Sequence, residues 1–296
     1  MPNSRTIQTH AKINLILKVA PPNEQGLHPI RSWMHPIDLS DRLSVTQTDS
    51  ATSFTVQWDT GAPVDWPIES DLIYKAHQAM QSHLDRSLPI HAQLTKSIPA
   101  GGGLGGGSSN AAGMLLLLND LFDLKLSEPE LQSIAHSIGT DIPFFLDLEM
   151  HRSGRPPRPA IVSGVGDSIQ RIQPAESELT LLVPPFGCPT GPVYRAFDRL
   201  LPSETERSVQ DQDLDSIAHK AVIDDTDLSN DLMIPATIEV PELATLLNTL
   251  RRLELPAHLS GSGSTLFMLG PLSDQTHSTL STHLPDLKII QTRLID

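Results

Sequence analysis

Cysteine is almost missing: Cys188 stands alone among 296 residues. That excludes an internal disulfide and a cysteine-built zinc site, fits a reducing compartment, and leaves Cys188 to be read as a small core residue. Apolar runs of membrane-spanning length are missing too, and Met1 to His10 is polar with no apolar centre. Neither a membrane partner nor a secretory signal is therefore expected, and a cytoplasmic location follows. Positive charge is short: 21 Lys and Arg against 35 Asp and Glu give a net charge of −14. Such a balance opposes nucleic-acid binding and requires a locally positive site for any anionic substrate. Twelve histidines are present, but none pairs at a ligand spacing on one helical face, so no metal site is expected from them. No internal repeat is visible, and nothing in the sequence reads on oligomeric state.

Glycine is concentrated in one place. Six of the nine residues Pro99, Ala100, Gly101, Gly102, Gly103, Leu104, Gly105, Gly106 and Gly107 are glycine, and Ser108, Ser109 and an Ala/Met/Leu-rich segment to Asn119 follow. Glycines reach positive φ freely and let a ligand approach the backbone, while the start of a helix offers unpaired N–H groups to an anion. The expected reading is a phosphate cradle running into a helix capped by Ser and Asn near Ser108. A Walker A loop is excluded because no lysine closes the run. A dinucleotide fingerprint is matched formally by Gly101, Gly103 and Gly106, but the match lies a third of the way along the chain rather than in an opening βαβ turn. A flexible linker would not lead at once into a strong apolar helix.

At this length two domains are expected, divided into 1–158 and 159–296. Apolar residues alternate from Ile7 to Val19, a half-buried strand that puts Lys12 and Asn14 on one face. By periodicity alone that face is an ordinary solvated one. Leu43–Gln47, Phe54–Trp58 and Ile90–Lys96 read as further strands, and Asp71–Arg86 as a helix capped by Ser70. Ser127, Glu128, Pro129 and Glu130 form a capping box for another helix. Asp141 is then a lone carboxylate in an apolar stretch, either an N-cap or a group with chemistry to do. Met150 to Pro159, with three Arg and three Pro, reads as a linker or exposed crossing. Strands at Ile161–Gly166 and Leu179–Val183, a helix over Gly191–Leu200 and an acidic excursion over Pro202–Asp227 follow. A helix over Pro241–Leu253, a small-residue loop at His258–Ser264, a strand over Thr265–Leu269, a helix near Ser273–His283 and a strand over Leu287–Thr292 complete a ferredoxin-like order.

With the Pro99 loop, the loop Ser260-Gly-Ser-Gly-Ser264 and the strand Ala11-Lys-Ile-Asn-Leu15, the chain resembles the GHMP small-molecule kinase superfamily. Gly26–His28, Gly139–Phe145, Gly164–Asp167, Pro189–Tyr194 and Ser229–Leu232 come in the family's order and spacing. The resemblance implies an α+β, two-domain fold: an N-terminal nucleotide-binding α/β domain and a C-terminal ferredoxin-like domain. It implies an ATP-dependent phosphotransferase with an alcohol acceptor, magnesium travelling with the ATP, and Lys12 and Asp141 as catalytic pair. ATP would lie over Pro99 to Ser109 with Asp71 near the adenine, where the family usually has Asn. The acceptor implied is a cytidylyl sugar alcohol of isoprenoid biosynthesis, contacted by Asn14, His28, Thr190, Tyr194, Gly261 and Ser262. Leu27 stands where the family usually has a Tyr that stacks on cytosine, so a mevalonate-like or homoserine-like acceptor stays open as an alternative. So does an inactive binding protein of the same fold, although such a protein would be expected to lack Lys12 or Asp141.

Overall fold

The structure, a computed structural model, describes residues 3–200, 212–220 and 222–296; residues 202–211 and 221 of the acidic stretch lie outside it. The first half runs β1 (Ser4–Val19), β2 (Ile30–Gln47), β3 (Ser53–Trp58), α1 (Leu72–Leu84), β4 (Ile90–Lys96), α2 (Gly106–Leu121), α3 (Glu128–His136) and α4 (Leu148–Arg152). There follow β5 (Ala160–Gly164), β6 (Ser168–Arg171), β7 (Glu178–Val183), α5 (Thr190–Leu200), α6 (Gln212–Ala218) and β8 (Ser229–Asn230). Then come α7 (Met233–Glu239), α8 (Pro241–Arg252), β9 (His258–Leu259), β10 (Leu266–Leu269), α9 (Asp274–His283) and β11 (Lys288–Arg293).

A first sheet has the order β3-β4-β2-β1-β8, with β5 beside β2 and β6 beside β5. Its spine is the antiparallel pair β1–β2, in register from Ser4 opposite Thr46 to Val19 opposite Ile30. In β1 the whole run Ala11–Leu17 is buried, as are Ser32–Ile37 in β2. Both faces are covered there. This corrects the solvated face expected for Lys12 and Asn14, and it hides the first half of β2 from any alternation signal. Helix α2, buried on nearly every side, packs on β1, β2 and α1. It begins two residues earlier than expected, at Gly106, because Gly105 takes the left-handed conformation (φ 69°) at the N-cap. The α1 cap is likewise not Ser70: Asp71 Oδ1 accepts from the Ile73 N–H at 3.0 Å. The α3 box forms as expected, with the Ser127 N–H donating to Glu130 Oε2 at 2.8 Å.

The second sheet, β11-β7-β10-β9, is antiparallel throughout, the strand order of a ferredoxin-like βαββαβ unit. The fold is α+β. The segment after Met150 is no free linker: the buried Asp147 carboxylate accepts from Arg158 Nε at 2.8 Å and Nη2 at 3.0 Å. Burial works to raise that carboxyl, but the Arg158 and Arg171 guanidiniums outweigh it and hold it below the ordinary value. Strands β5 and β6, which follow residue 158, pair into the first sheet through β2. The two units share a core in which Ala11, Ile13 and Trp33 meet Leu179, Leu181 and Phe267. Strand β8 also crosses back to run parallel to β1 at Ile16 and Leu17. The covered half of β1 thus meets the second sheet through its side chains and β8 along its edge.

Candidate active site

Two clefts open on either side of the glycine loop. The larger, about 710 Å³, lies between the units and is lined by Lys12, Asn14, His28, Asp141, Thr190, Tyr194, Gly261 and Ser262. The smaller, about 520 Å³, is lined by Asp71 and by the loop from Pro99 and Ala100 through Gly102, Leu104, Gly106 and Gly107. Gly101, Gly103, Gly105, Ser108 and Thr190 border both. Ser109 lines neither: its side chain is buried and its N–H donates to Gly105 O at 2.8 Å, so it leaves the candidate set.

The loop is held by its neighbours at close range. The Lys12 N–H donates to Leu104 O at 2.9 Å, the Thr265 N–H to Gly102 O at 3.2 Å, and Ser260 Oγ to Gly103 O at 3.1 Å. At Gly103 (φ 76°) a Cβ would lie 2.2 Å from the Ser260 carbonyl oxygen, so only glycine allows this contact. The first N–H groups of α2 have no acceptor within the helix and sit at the wall between the clefts, where the helix dipole favours an anion.

At the floor of the larger cleft the buried Lys12 ammonium donates to Asn14 Oδ1 at 2.6 Å. The Asn14 amide donates to Ser32 Oγ at 2.8 Å, and Ser32 in turn to Ile16 O at 2.7 Å. This chain anchors the Lys12 ammonium from below. Asp141 Oδ2 stands 3.7 Å from Lys12 Nζ, an ion pair longer than a hydrogen bond, with side-chain exposures of 3% for Lys12 and 39% for Asp141. Burial lowers the Lys12 pKa, and the attraction of Asp141 restores part of it. The arrangement offers one fixed cation beside one carboxylate that faces open space.

The outer end of this cleft is aromatic. The Tyr194 ring lies 4.9 Å from that of His28, tilted by 45°, and burial, with Asp141 adding to it, raises the phenol pKa. His28 Nδ1 is 3.0 Å from Ala20 O, and Nε2 is 3.5 Å from Asp198 Oδ1. Thr190 and Ser262 hydroxyls are 3.0 Å apart, joining the start of α5 to the second small-residue loop. Leu27 lines the same end and is 43% exposed.

Sequence reasoning missed Asp41 outright, and it singled out the Gly164–Asp167 and Ser229–Leu232 motifs without a role for Gly166 or Asn230. Asp41, wholly buried, accepts from Lys96 Nζ (2.6 Å), Asn110 Nδ2 (2.8 Å) and the N–H groups of Ser97 (2.7 Å) and Ile98 (2.8 Å), which fixes the entry to the glycine loop. Asp41 stands in β2 with nothing in its neighbourhood to separate it from a surface carboxylate. At Gly166 (φ 92°) a Cβ would lie 2.5 Å from Thr140 O, so the Gly164–Asp167 turn presses on the residue before Asp141. Asn230 Nδ2 donates to Leu259 O (2.7 Å) and Gly261 O (2.8 Å), tying the second small-residue loop to β1. Cys188 lines the larger cleft, its thiol pushed up to about 11 by burial.

Comparison with known proteins places this geometry in a family. Residues 71–147 match the model for the GHMP kinases N terminal domain, and residues 211–278 that for GHMP kinases C terminal. The chain is 30% identical over 268 residues to 4-diphosphocytidyl-2-C-methyl-D-erythritol kinase of Persephonella marina, covering 90% of this chain and 91% of that protein. It is 34% identical over 266 residues to the protein of the same name from Porphyromonas gingivalis, covering 88% and 90%. Among solved structures, a 4-(cytidine 5'-diphospho)-2C-methyl-D-erythritol kinase superposes with a TM-score of 0.72 at 26% identity, covering 99% of this chain and 100% of that one. The L. major mevalonate kinase in complex with R-mevalonate reaches 0.62 at 15% identity over 99% and 96%, a likeness of fold alone. The chain belongs to the GHMP kinases, and within them to the 4-diphosphocytidyl-2-C-methyl-D-erythritol kinase family.

Proposed function

We propose that the protein transfers the γ-phosphate of ATP to a hydroxyl of 4-diphosphocytidyl-2-C-methyl-D-erythritol, a step of non-mevalonate isoprenoid biosynthesis. The observation that carries this reading is the Lys12–Asp141 pair, set where two clefts meet at one glycine loop. ATP in the smaller cleft would bring its terminal phosphate to that wall, and the acceptor would enter from the larger. Asp141 takes the proton of the attacking hydroxyl as the new O–P bond forms and the bond to ADP breaks. Lys12 holds that carboxylate in position, and its charge offsets that of the transferring group. Holding both reactants in place supplies much of the acceleration, since phosphoryl transfer leaves little covalent chemistry to the protein.

Among the described residues no three His, Cys, Asp or Glu side chains cluster so as to hold a metal ion. The donor set therefore fits a magnesium ion carried chiefly by the nucleotide's own phosphate oxygens, with Asp141 and the Ser108 hydroxyl as the side-chain oxygens beside the loop. Bound there, it would supply charge neutralisation at the β- and γ-phosphates. Among the described residues no helix is long and apolar enough to cross a membrane. A cytoplasmic site of action, and a small-molecule partner without nucleic acid on the charge balance given above, complete the reading.

The size of the larger cleft favours a cytidylyl sugar alcohol over mevalonate or homoserine, since those small acids would leave its outer, aromatic end empty. Leu27 is the observation that favours a second reading, another GHMP kinase with a smaller acceptor. Supplying 4-diphosphocytidyl-2-C-methyl-D-erythritol, mevalonate and homoserine singly with magnesium and ATP, and following ADP release, decides between them. Turnover with the cytidylyl alcohol alone is expected; turnover with mevalonate or homoserine alone would replace the first reading by the second.

A further inference from the structure

If phosphates run along the glycine loop, the base of the nucleotide must occupy the smaller cleft, and the polar side chains of that cleft, Ser108 beside the loop aside, are already engaged with protein partners. Ser70 Oγ donates to Pro67 O at 2.7 Å, Lys96 Nζ to Asp41 at 2.6 Å, and the Asn110 amide is held between Thr9 and Asp41. Asp71 is committed twice over: Oδ1 accepts from the Ile73 N–H at 3.0 Å, and Oδ2 from Trp66 Nε1 at 2.9 Å. The aromatic surface left on the wall is Trp66 itself, half-buried and fixed from two sides. Asp71 holds its ring nitrogen, and Trp58 meets it edge to face at 6.0 Å and 88°. An indole pinned in this way needs no further ordering when a ligand stacks on it.

We propose that Trp66, positioned by Asp71, is the platform on which the base of the phosphate donor stacks. The donor is then chosen for its aromatic face rather than for the hydrogen-bonding edge of adenine, because stacking is available to every base while no side chain of the cleft away from the phosphate loop stands free to read one. The proposal rests on the kinase reading above. It also changes the role of Asp71, from a contact to the base to a positioning residue acting through Trp66.

Four proteins test it: the wild type, Trp66→Ala, Trp66→Phe and Asp71→Asn. Each is assayed for ADP release with ATP and with GTP, for nucleotide affinity by calorimetry, and for thermal stability. Trp66→Ala is expected to raise the KM and Kd for ATP on the order of tenfold to a hundredfold, with kcat within about threefold, since a remote stacking contact is made equally in ground and transition states. Trp66→Phe should restore most of that loss. In Asp71→Asn the side-chain oxygen can still cap α1, as Asn caps about as well as Asp, but the amide then faces Trp66 Nε1, donor against donor. Its KM for ATP should rise several-fold with α1 still capped and thermal stability lowered only modestly, by the one lost hydrogen bond. GTP should serve the wild type with a KM within about tenfold of that for ATP. An ATP affinity within twofold of wild type in Trp66→Ala, or a preference for ATP over GTP beyond a hundredfold, overturns the proposal. A wild type that makes no ADP with any acceptor overturns the kinase reading instead, and the calorimetric comparison of wild type with Trp66→Ala still decides the role of Trp66.

Discussion

The two clefts that share the glycine loop differ in how their polar groups are used. In the smaller, Ser70, Asp71, Lys96 and Asn110 all spend their hydrogen bonds on the protein itself. In the larger, Lys12, Asn14 and Ser32 form an equally closed chain below the surface, but Asp141 stands above it with open space in front. The first is a surface for holding; the second keeps one group free for a proton. The contrast shows what a transfer site requires of a fold: rigid backbone where charge is bound, and a single unsatisfied side chain where a bond is to be made.

The largest effect should come from that single group. Asp141→Asn is expected to lower kcat on the order of 10²–10⁴, the usual worth of a general base, while ATP affinity by calorimetry changes little. A fall of less than about threefold would reduce Asp141 to a turn residue and erase the contrast between the clefts. Its partner gives a pH signature. Burial holds Lys12 below the ordinary lysine value of 10.5, so kcat/KM should fall as pH rises through the lowered pKa, on an alkaline limb earlier than that of a free lysine. Stability moves the other way. Between the lowered value and 10.5 the unfolded chain binds a proton that the folded one does not, so stability rises with pH across that window. Lys12→Met should abolish both the limb and the rise, measured by activity and by denaturant unfolding.

The rigid side of the comparison is tested at the loop. Gly103→Ala places a Cβ against the Ser260 carbonyl, at a φ that side chains avoid, and should cost on the order of 2 kcal/mol or more in denaturant unfolding, with nucleotide affinity falling in step. Gly101→Ala has the same positive φ with nothing within 4 Å of the added Cβ, and should cost only about 1–2 kcal/mol. Equal losses at both positions would show that the loop's attachment to Ser260 contributes nothing to its shape.

How much of this was legible in the sequence follows the same division. The glycine run, the capping box at Ser127 and the alternation of β1 and β4 are local patterns, and each marks its element to within a few residues. The cradle could be read because one stretch makes it. The groups that steady it could not: Asp41 meets Lys96 and Asn110 across 55 and 69 residues, and Asn230 meets Gly261 across 31. Alternation also failed where both faces are buried, so Lys12 and Asn14 read as solvated and the first half of β2 read as nothing. Likeness to a family supplied the pairing of Lys12 with Asp141, which no spacing along the chain would suggest. Ser109 marks the limit of that help, since a residue inside the matched motif turned its side chain into the core.

The smallest expected effect lies at the outer end of the larger cleft. The Leu27 N–H donates to Asn23 Oδ1 at 3.0 Å and the side chain is 43% exposed, so the turn is held by its backbone and the side chain can be exchanged without disturbing it. If cytosine is seated between this position and Tyr194, an aliphatic group now covers the face that an aromatic ring could cover. A lost stacking partner is worth about 1–3 kcal/mol, and contact from Leu recovers part of it. Leu27→Tyr should therefore lower the KM for the cytidylyl alcohol by up to about tenfold and leave kcat unchanged, because the contact is remote from the reacting hydroxyl and is kept throughout the reaction. Tyr194→Ala should raise the same KM by more, since its ring already packs on His28 and its loss loosens both. An unchanged KM in both variants would mean that no base sits at this end of the cleft. The aromatic pair would then serve only to pack α5 against the turn, and a smaller alcohol would become the better acceptor for the pair at Lys12 and Asp141.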